Sequence, residues 1–189
     1  MTIETLNILP ICIGKDNIGV LEEWQSKAKN TKIFSFDEKG SYSENNLQEY
    51  PDWQPLCEKL LKVSQTWFNS QGYTGELFMT SAWLNFFKPT QGIENHTHPN
   101  SFISGCYYFE NCSGITFTKD QNSLDALFEV PGKKSNFFTY YPSAGDVLVF
   151  KSDLKHEVDL VTQPRVSFGF NCFPKELGVL GKSNYIKIR

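Results

Sequence analysis

The sequence predicts a mainly β domain of the α+β class, a sandwich or jelly-roll barrel with supporting N-terminal helices. After residue 75, short segments rich in β-branched and aromatic residues alternate with turn signals that contain Gly and Pro. The chain has 16 Phe, 8 Tyr and 4 Trp in 189 residues, and strands accommodate such side chains better than a helical bundle does. Its 40% hydrophobic content and net charge of −3 exclude an intrinsically disordered chain.

The first predicted elements are a strand, a helix and a loop. Residues 1–14 alternate loosely between polar and apolar side chains, which indicates an opening strand. Residues 16–29 carry apolar residues at helical spacing up to Trp24, and Asp16 is a suitable N-cap for that helix. Residues 37–52 are rich in Ser, Asn and Glu and predict a long loop or flap.

The clearest predicted helix starts near Pro51-Asp52, with Asp52 as its N-cap, and ends at Gly72. Its apolar residues recur at spacings of three and four, so one face of the helix is expected to pack on a sheet. We interpret this stripe as core rather than as a ligand site. It consists of Trp53, Leu56, Leu60, Trp67 and Phe68, with Cys57, Leu61 and Ser64 between them.

The rest of the chain predicts seven short strands. Regular short strands of this kind favour two packed sheets or a closed barrel. The predicted strands are 76–87, 102–110, 114–118, 137–141, 146–151, 156–161 and 165–173. The turn signals between them are 88–92, 131–132 and 142–145.

The length fits a single domain that buries its core without disulfide bonds. We expect one domain over 1–189, with an N-terminal strand and helices over 1–75, a jelly-roll core over 76–175 and a C-terminal tail over 176–189. The odd number of cysteines and the absence of C-x-x-C spacing predict free thiols rather than a disulfide framework or a zinc ribbon. The cysteines are Cys12, Cys57, Cys106, Cys112 and Cys172.

Charge and hydropathy exclude several classes of function. The mildly acidic chain, with a pI near 5.6, gives no support for binding to nucleic acid or to a membrane surface. No apolar run approaches the ~18 residues that a spanning helix needs, and the N-terminus does not resemble a signal peptide. We therefore expect a cytoplasmic protein.

The chain contains three histidines, His96, His98 and His156, and their spacing predicts a metal site. His96 and His98 stand at positions i and i+2, which share one face of extended backbone at roughly 6–7 Å between Cβ atoms. Two imidazoles at that separation can bind one metal ion at ~2.1 Å. His156 lies near the start of a later strand, and a jelly roll pairs strands that are distant in sequence. We therefore expect His156 to complete the site.

The strand that follows His156 has strictly alternating faces and begins with an arginine. An arginine at the start of the polar face offers a rigid fork that matches a carboxylate. The polar face consists of Arg165, Ser167, Gly169 and Asn171, and the apolar face of Val166, Phe168 and Phe170.

These residues resemble the iron(II)- and 2-oxoglutarate-dependent dioxygenases of the prolyl-hydroxylase-like branch, and within it a subfamily with an H-x-H…H motif. That family carries its ligands on a double-stranded β-helix, a cupin-like jelly roll. The resemblance covers 76–175. It implies that His96 and His156 bind iron and that Arg165, nine positions past His156, binds the distal carboxylate of 2-oxoglutarate.

The resemblance also implies further contacts with the cosubstrate. The strand Ser-Gly-Cys-Tyr-Tyr-Phe is similar to a family strand in which a tyrosine and a small hydroxyl residue four positions earlier touch 2-oxoglutarate. Those roles carry over to Tyr108 and Ser104, with Ser167 as a further contact. Asn85 is expected in the cavity wall. The run 142–150 is similar to the Gly-Asp-hydrophobic-Phe segment that precedes the distal histidine in the family.

One position departs from the family pattern, because His98 stands where the family has a carboxylate. Three neutral imidazoles leave Fe(II) at +2, so dianionic 2-oxoglutarate makes a neutral centre. Such a site should depend on the dianion and should lose metal as the pH falls through the histidine pKa, ~6.5 when unperturbed. Two alternatives stay open. His98 begins its own motif with Asn100, or a carboxylate comes from elsewhere, with Glu94 the nearest.

The resemblance implies an oxidoreductase that consumes 2-oxoglutarate and O₂, hydroxylates an unidentified substrate and releases succinate and CO₂. A homodimer is one open arrangement. One alternative is a cupin-like three-histidine dioxygenase that does not use 2-oxoglutarate. Another is a non-enzymatic metal-binding jelly roll. Neither 37–52 nor 119–136, the expected cavity-lining loops, identifies the substrate.

Overall fold

Strands dominate the structure, a computed structural model that describes residues 11–36, 39–118, 137–178 and 185–187. The helices are α1 (Glu22–Asn30) and α2 (Gln54–Ser70), with a 3₁₀ turn at Leu47–Glu49. The strands are β1 (Gly14–Asn17), β2 (Ser35–Phe36), β3 (Ser41–Tyr42), β4 (Leu77–Phe87), β5 (Ile93–His96), β6 (Ile103–Tyr108), β7 (Ile115–Thr118), β8 (Phe137–Tyr140), β9 (Asp146–Lys151), β10 (Lys155–Val158), β11 (Arg165–Pro174), β12 (Glu176–Gly178) and β13 (Tyr185–Lys187).

Two antiparallel sheets carry the fold. The larger has the order β1-β9-β6-β11-β4-β3-β2, and the smaller has the order β5-β10-β7-β8. Strands that are distant in the chain are neighbours in both sheets, as in a jelly roll. The longest pairing joins β11 to β4, from Arg165 opposite Phe87 to Pro174 opposite Leu77. The predicted mainly β, jelly-roll class with supporting helices is confirmed.

The predicted aromatic stripe of α2 packs against the larger sheet. Trp53, which precedes the helix, lies 5.2 Å from Phe168 of β11 between ring centroids. Ser64, between the apolar residues, is also buried and bonds the carbonyl of Leu60. The prediction that the stripe is core is confirmed, because its members are buried in one cluster: Trp53, Leu56, Cys57, Leu60, Trp67 and Phe68. Among the described residues, no helix is long and apolar enough to cross a bilayer.

Both predicted N-caps are wrong. Asp16 lies in β1 opposite Val147, and α1 begins six residues later with Leu21 as its N-cap. Asp52 lies in a turn in which the Trp53 N–H donates to the Tyr50 carbonyl, so α2 begins only at Gln54. In each case the backbone of the candidate cap belongs to another element, a strand for Asp16 and a turn for Asp52.

The predicted strands after residue 75 each correspond to a strand, β4 and β6 to β11, with small shifts at their ends. β5 is absent from the prediction because Ile-Glu-Asn-His contains one apolar residue and no alternation. Most of the predicted opening strand, the turn at 131–132 and the loop 119–136 lie outside the described residues, as do 37–38, 179–184 and 188–189. The division at residues 75 and 175 stays a prediction.

Candidate metal and cosubstrate site

The three histidines lie together between the sheets. One ligand atom from each of His96, His98 and His156 falls within 4.8 Å of the others. His96 and His156 are directly opposite each other in the pairing of β5 with β10, and their ring centroids are 4.3 Å apart. His98 follows β5 and is anchored by its backbone N–H, which donates to the Ser152 carbonyl at 2.9 Å. Sheet pairing thus brings the predicted ligands together.

Hydrogen bonds at Nδ1 leave Nε2 of each histidine as the nitrogen that could bind a metal ion. The Nδ1 atom of His96 lies 2.8 Å from the Glu94 carbonyl, and that of His156 lies 2.9 Å from the Leu154 carbonyl. A carbonyl oxygen only accepts, so Nδ1 carries the proton and Nε2 keeps its lone pair. This is the arrangement that proteins use to orient metal-binding histidines. The donor set therefore fits a bound metal ion.

His98 has a side-chain acceptor instead of a backbone carbonyl. Its Nδ1 lies 2.7 Å from Oδ1 of Asn171. The orientation of that amide is fixed, because its Nδ2 donates to the Ser81 hydroxyl at 3.0 Å. The Ser104 hydroxyl also donates to Asn171 Oδ1, at 2.7 Å, and lies 3.0 Å from His98 Nδ1. Ser104 thus lies behind His98, a position different from the expected contact with the cosubstrate.

Burial keeps two of the imidazoles neutral. Desolvation lowers the pKa of His156 to about 3, and it also lowers the pKa of His98. Neutral imidazoles bind a metal ion without first losing a proton. A centre with three neutral histidines carries only the charge of its metal ion. The buried surroundings of His98 and His156 are consistent with that prediction.

Neither alternative ligand joins the cluster. The side chain of Glu94 is 80% exposed and its carboxylate lies 2.9 Å from Lys39 Nζ. Asn100 is exposed and lines a neighbouring groove. Among the described residues, the three histidines form the single group of three or more His, Cys, Asp or Glu side chains arranged to hold a metal ion.

Arg165 is buried beside the histidines without an acidic partner. Its side chain is 2% exposed, and its Nη1 donates to the Ser167 hydroxyl at 3.2 Å. No carboxylate of the described residues lies within 4.0 Å of the guanidinium, and its Nε has no hydrogen-bond partner among them. Burial of a cation without a counter-charge costs free energy. An anion from outside the protein would offset that cost, so this site is suited to bind one.

Tyr108 and Phe87 enclose the guanidinium. Their rings lie 5.4 Å and 5.5 Å from its central carbon. The Tyr108 hydroxyl is buried and has no hydrogen-bond partner among the described residues. Burial raises the pKa of Tyr108 well above its ordinary value, so this hydroxyl is a neutral donor. A carboxylate could accept hydrogen bonds from the two groups that lack a partner, Arg165 Nε and the Tyr108 hydroxyl.

A single cavity of about 90 Å³ connects the histidines with the arginine. Asn85 also lines it, accepts from the Trp83 indole at 2.8 Å and donates to Ser167 at 3.4 Å. Its remaining walls are largely apolar, which keeps water away from the ligands. The site residues that line this cavity are His96, His98, His156, Arg165, Ser167 and Asn85. Ser104 and Tyr108 are not among the residues that line it; Ser104 contacts His98, and the Tyr108 ring packs beside Arg165.

Sequence reasoning missed the residues that support the site. The alternation of β11 put Asn171 on the polar face with Arg165, but no sequence signal linked it to His98. Ser81 and Ser152, which hold Asn171 and the His98 backbone, come from β4 and from the turn after β9. Their roles depend on strand pairing alone.

Comparison with known proteins identifies the central part of the chain. Residues 81–171 match the family model described as "Putative 2OG-Fe(II) oxygenase". No curated protein matches the chain in sequence. The matched segment contains all three histidines, Arg165 and the residues that line their cavity on β4 and β11.

Solved structures share the fold. An oxidoreductase of the 2OG-Fe(II) oxygenase family from Burkholderia pseudomallei has a TM-score of 0.59 at 14% identity, covering 79% of this chain and 75% of that one. The α-ketoglutarate-dependent epimerase SnoN from nogalamycin biosynthesis has a TM-score of 0.68 at 10% identity, covering 88% and 79%. A prolyl-4-hydroxylase from Pseudomonas putida has a TM-score of 0.60 at 9% identity, covering 85% and 92%.

Such low identities establish the fold alone, and the sequence similarity to the oxygenase family covers residues 81–171. Iron(II) and 2-oxoglutarate are the cofactor and cosubstrate that the family name specifies. The resemblance drawn from the histidines and the arginine is confirmed. Over residues 81–171 this chain is similar to the 2OG-Fe(II) oxygenases, and that segment of its jelly roll contains the three histidines and Arg165.

Proposed function

We propose that this enzyme hydroxylates a substrate C–H bond and couples this step to the conversion of 2-oxoglutarate and O₂ into succinate and CO₂. His96, His98 and His156 hold the iron through Nε2. Arg165 binds the distal carboxylate of 2-oxoglutarate. The observation that carries the proposal is a buried arginine with no acidic partner among the described residues, in one cavity with three oriented histidines.

Arg165, Ser167 and Tyr108 have different roles in binding the cosubstrate. Arg165 supplies the charge, and Ser167, held between Arg165 and Asn85, fixes the orientation of the guanidinium. The orphaned Tyr108 hydroxyl supplies a second donor to the distal carboxylate. Bound iron supplies the redox chemistry with O₂, while the protein provides orientation and a dry cavity.

Asn171 and Ser104 act on the iron through His98. A carboxylate ligand would bring its own negative charge, whereas His98 is neutral and gains basicity from its acceptor Asn171. Ser104 supports that acceptor from β6. We therefore assign Ser104 to positioning of His98 rather than to cosubstrate binding.

The direct test is the affinity for 2-oxoglutarate of Arg165 variants. We expect Arg165→Ala to weaken binding by ~2–4 kcal/mol, because a desolvated carboxylate loses its charged partner. Arg165→Lys retains the charge without the fork and should fall between Ala and the wild type. Titration of the iron-loaded protein under anaerobic conditions measures this affinity. An Ala variant that binds 2-oxoglutarate as the wild type does would contradict the assignment.

A three-histidine dioxygenase that does not use 2-oxoglutarate is a second candidate. One observation favours it, namely that His98 occupies the position of the family carboxylate. In that case Arg165 binds a carboxylate of the substrate instead. Succinate formation by the iron-loaded protein in the presence of 2-oxoglutarate and O₂ separates the two candidates. The homodimer and the cytoplasmic location stay predictions from the sequence.

A further inference from the structure

A second, larger cavity of about 430 Å³ opens beside the metal cluster; we call it the side groove. Tyr42, Trp83 and His98 line both cavities, so the side groove shares a wall with the cosubstrate cavity. Its volume lies within the ~300–1,000 Å³ of typical small-molecule sites. The side groove therefore has the position and the size for the molecule that is oxidised.

The side groove has a polar but uncharged lining. No Asp, Glu, Lys or Arg is among the described residues that line it, although these four types make up 21% of the chain. Hydroxyl groups and carboxamides supply its polarity instead. A charged group bound here would gain no counter-charge from these residues. The lining therefore favours a neutral ligand.

Part of this lining is fixed by the protein itself. The Ser43 hydroxyl accepts from the Leu84 N–H at 2.9 Å and donates to the Glu44 carbonyl at 2.8 Å. Ser81 accepts from Asn171, which in turn holds His98. The Ser43 and Ser81 hydroxyls therefore already have hydrogen-bond partners within the protein.

Other polar groups of the side groove are available to a ligand. The side chains of Asn45, Thr97 and Asn100 make no hydrogen bond to any other described residue, and all three line the groove. Each amide offers donors and an acceptor, and the threonine hydroxyl offers one of each. Such groups match ligand hydroxyls, which also donate and accept.

Trp83 adds an apolar surface next to these amides. Its indole N–H is already bonded to Asn85, so its remaining contact surface is apolar. Its ring centroid is 5.6 Å from that of His98, which places this surface beside the metal cluster. An aromatic surface packs against the C–H groups of a ring while neighbouring amides bond its hydroxyls.

We propose that the side groove binds the substrate of the oxygenase and that this substrate is an uncharged, hydroxyl-bearing ring compound of the carbohydrate type. Trp83 packs against the ring, and Asn45, Thr97 and Asn100 bond its hydroxyls. This inference rests on the proposed function, which identifies the adjoining cavity as the site of oxidation.

A charge-matched series of sugars tests the proposal. Zn(II)-loaded, ¹⁵N-labelled protein with bound 2-oxoglutarate is titrated with methyl glucoside, glucosamine and glucuronate. The indole N–H resonance of Trp83, assigned by its loss in Trp83→Phe, reports binding. We expect methyl glucoside to shift it, with the charged sugars binding at least about tenfold more weakly. No shift with methyl glucoside, or equal binding of a charged sugar, would overturn the proposal.

Variants of Asn100 provide the control. Asn100→Ala should weaken binding of methyl glucoside, and Asn100→Lys should shift the preference toward glucuronate. Asn69→Ala removes an exposed asparagine on α2 and should change nothing. The affinity for 2-oxoglutarate is measured on the same samples. If the wild-type protein binds 2-oxoglutarate but not methyl glucoside, only the groove assignment is overturned. If it does not bind 2-oxoglutarate, the proposed function is overturned.

Discussion

The two ends of the cosubstrate cavity are built differently. At the histidine end, each Nδ1 atom already has an acceptor, from a backbone carbonyl or from Asn171. At the arginine end, Arg165 Nε and the Tyr108 hydroxyl are buried without a partner among the described residues. The protein thus orients the histidines by itself, whereas in the proposed function the arginine end gains its missing interactions from a bound ligand. Changes at the two ends should therefore have different consequences.

Loss of a ligand at the histidine end should have the largest effect. We expect His156→Ala to lower the iron affinity by at least about 100-fold and to abolish succinate formation, because only two imidazoles remain. Metal content after dialysis and competition titration measure the affinity. His98→Asp is the matched control, since it replaces one ligand by another and should retain iron. Wild-type iron affinity in His156→Ala would refute the three-histidine site.

Loss of the His98 acceptor should have an intermediate effect. We expect Asn171→Ala to weaken iron binding by ~10–100-fold, the usual consequence of removing a partner of a metal-binding histidine. Asn171→Asp keeps an acceptor oxygen and should recover most of the affinity. Cosubstrate affinity of iron-saturated protein should stay unchanged in both variants. A fall in the cosubstrate affinity of iron-saturated Asn171→Ala would show that the histidine end and the arginine end of the cavity are coupled.

Acid should destabilise the metal-free protein through the histidine end. The pKa of His156 is lowered to about 3, whereas an unfolded histidine titrates near ~6.5. Between these values the unfolded chain binds a proton that the folded chain does not. The contribution of His156 to stability is therefore complete above pH ~6.5 and is lost below it at up to about 1.4 kcal/mol per pH unit. His98, whose pKa is also lowered, adds to this slope. Denaturant unfolding across pH measures the total slope, and His156→Gln should reduce it.

The smallest effect is expected on the stability of the cosubstrate-free protein when the charge at the arginine end is removed. A buried, unpaired cation contributes little to stability, so Arg165→Met should change the free energy of unfolding by about 1 kcal/mol or less, or raise it. Addition of 2-oxoglutarate should raise the melting temperature of the wild type but not of this variant. Strong destabilisation of the variant in the absence of cosubstrate would show that Arg165 has a structural role.

Sequence periodicity predicted the scaffold because it reflects local backbone geometry. The period of two in β11 correctly separated Arg165 and Ser167 from Phe168 and Phe170, and the helical period identified the buried face of α2. The N-cap predictions were wrong because tertiary contacts, which local patterns do not reflect, set the backbone at these positions. Asp is a residue type that caps helices, but Asp16 is paired with β9, and α1 begins six residues later.

The jelly-roll class, the three histidines as a candidate set and the arginine that follows them were all predictable from the sequence. How these residues are arranged relative to one another depends on the tertiary structure. β5 has too weak a pattern to be predicted, yet its pairing with β10 sets His96 opposite His156. Asn171 and Ser104 reach His98 across the pairing of β11 with β6, and Arg165 is left without an acidic partner among the described residues. These are contacts between segments distant in sequence, and local patterns carry no information about which segments pair.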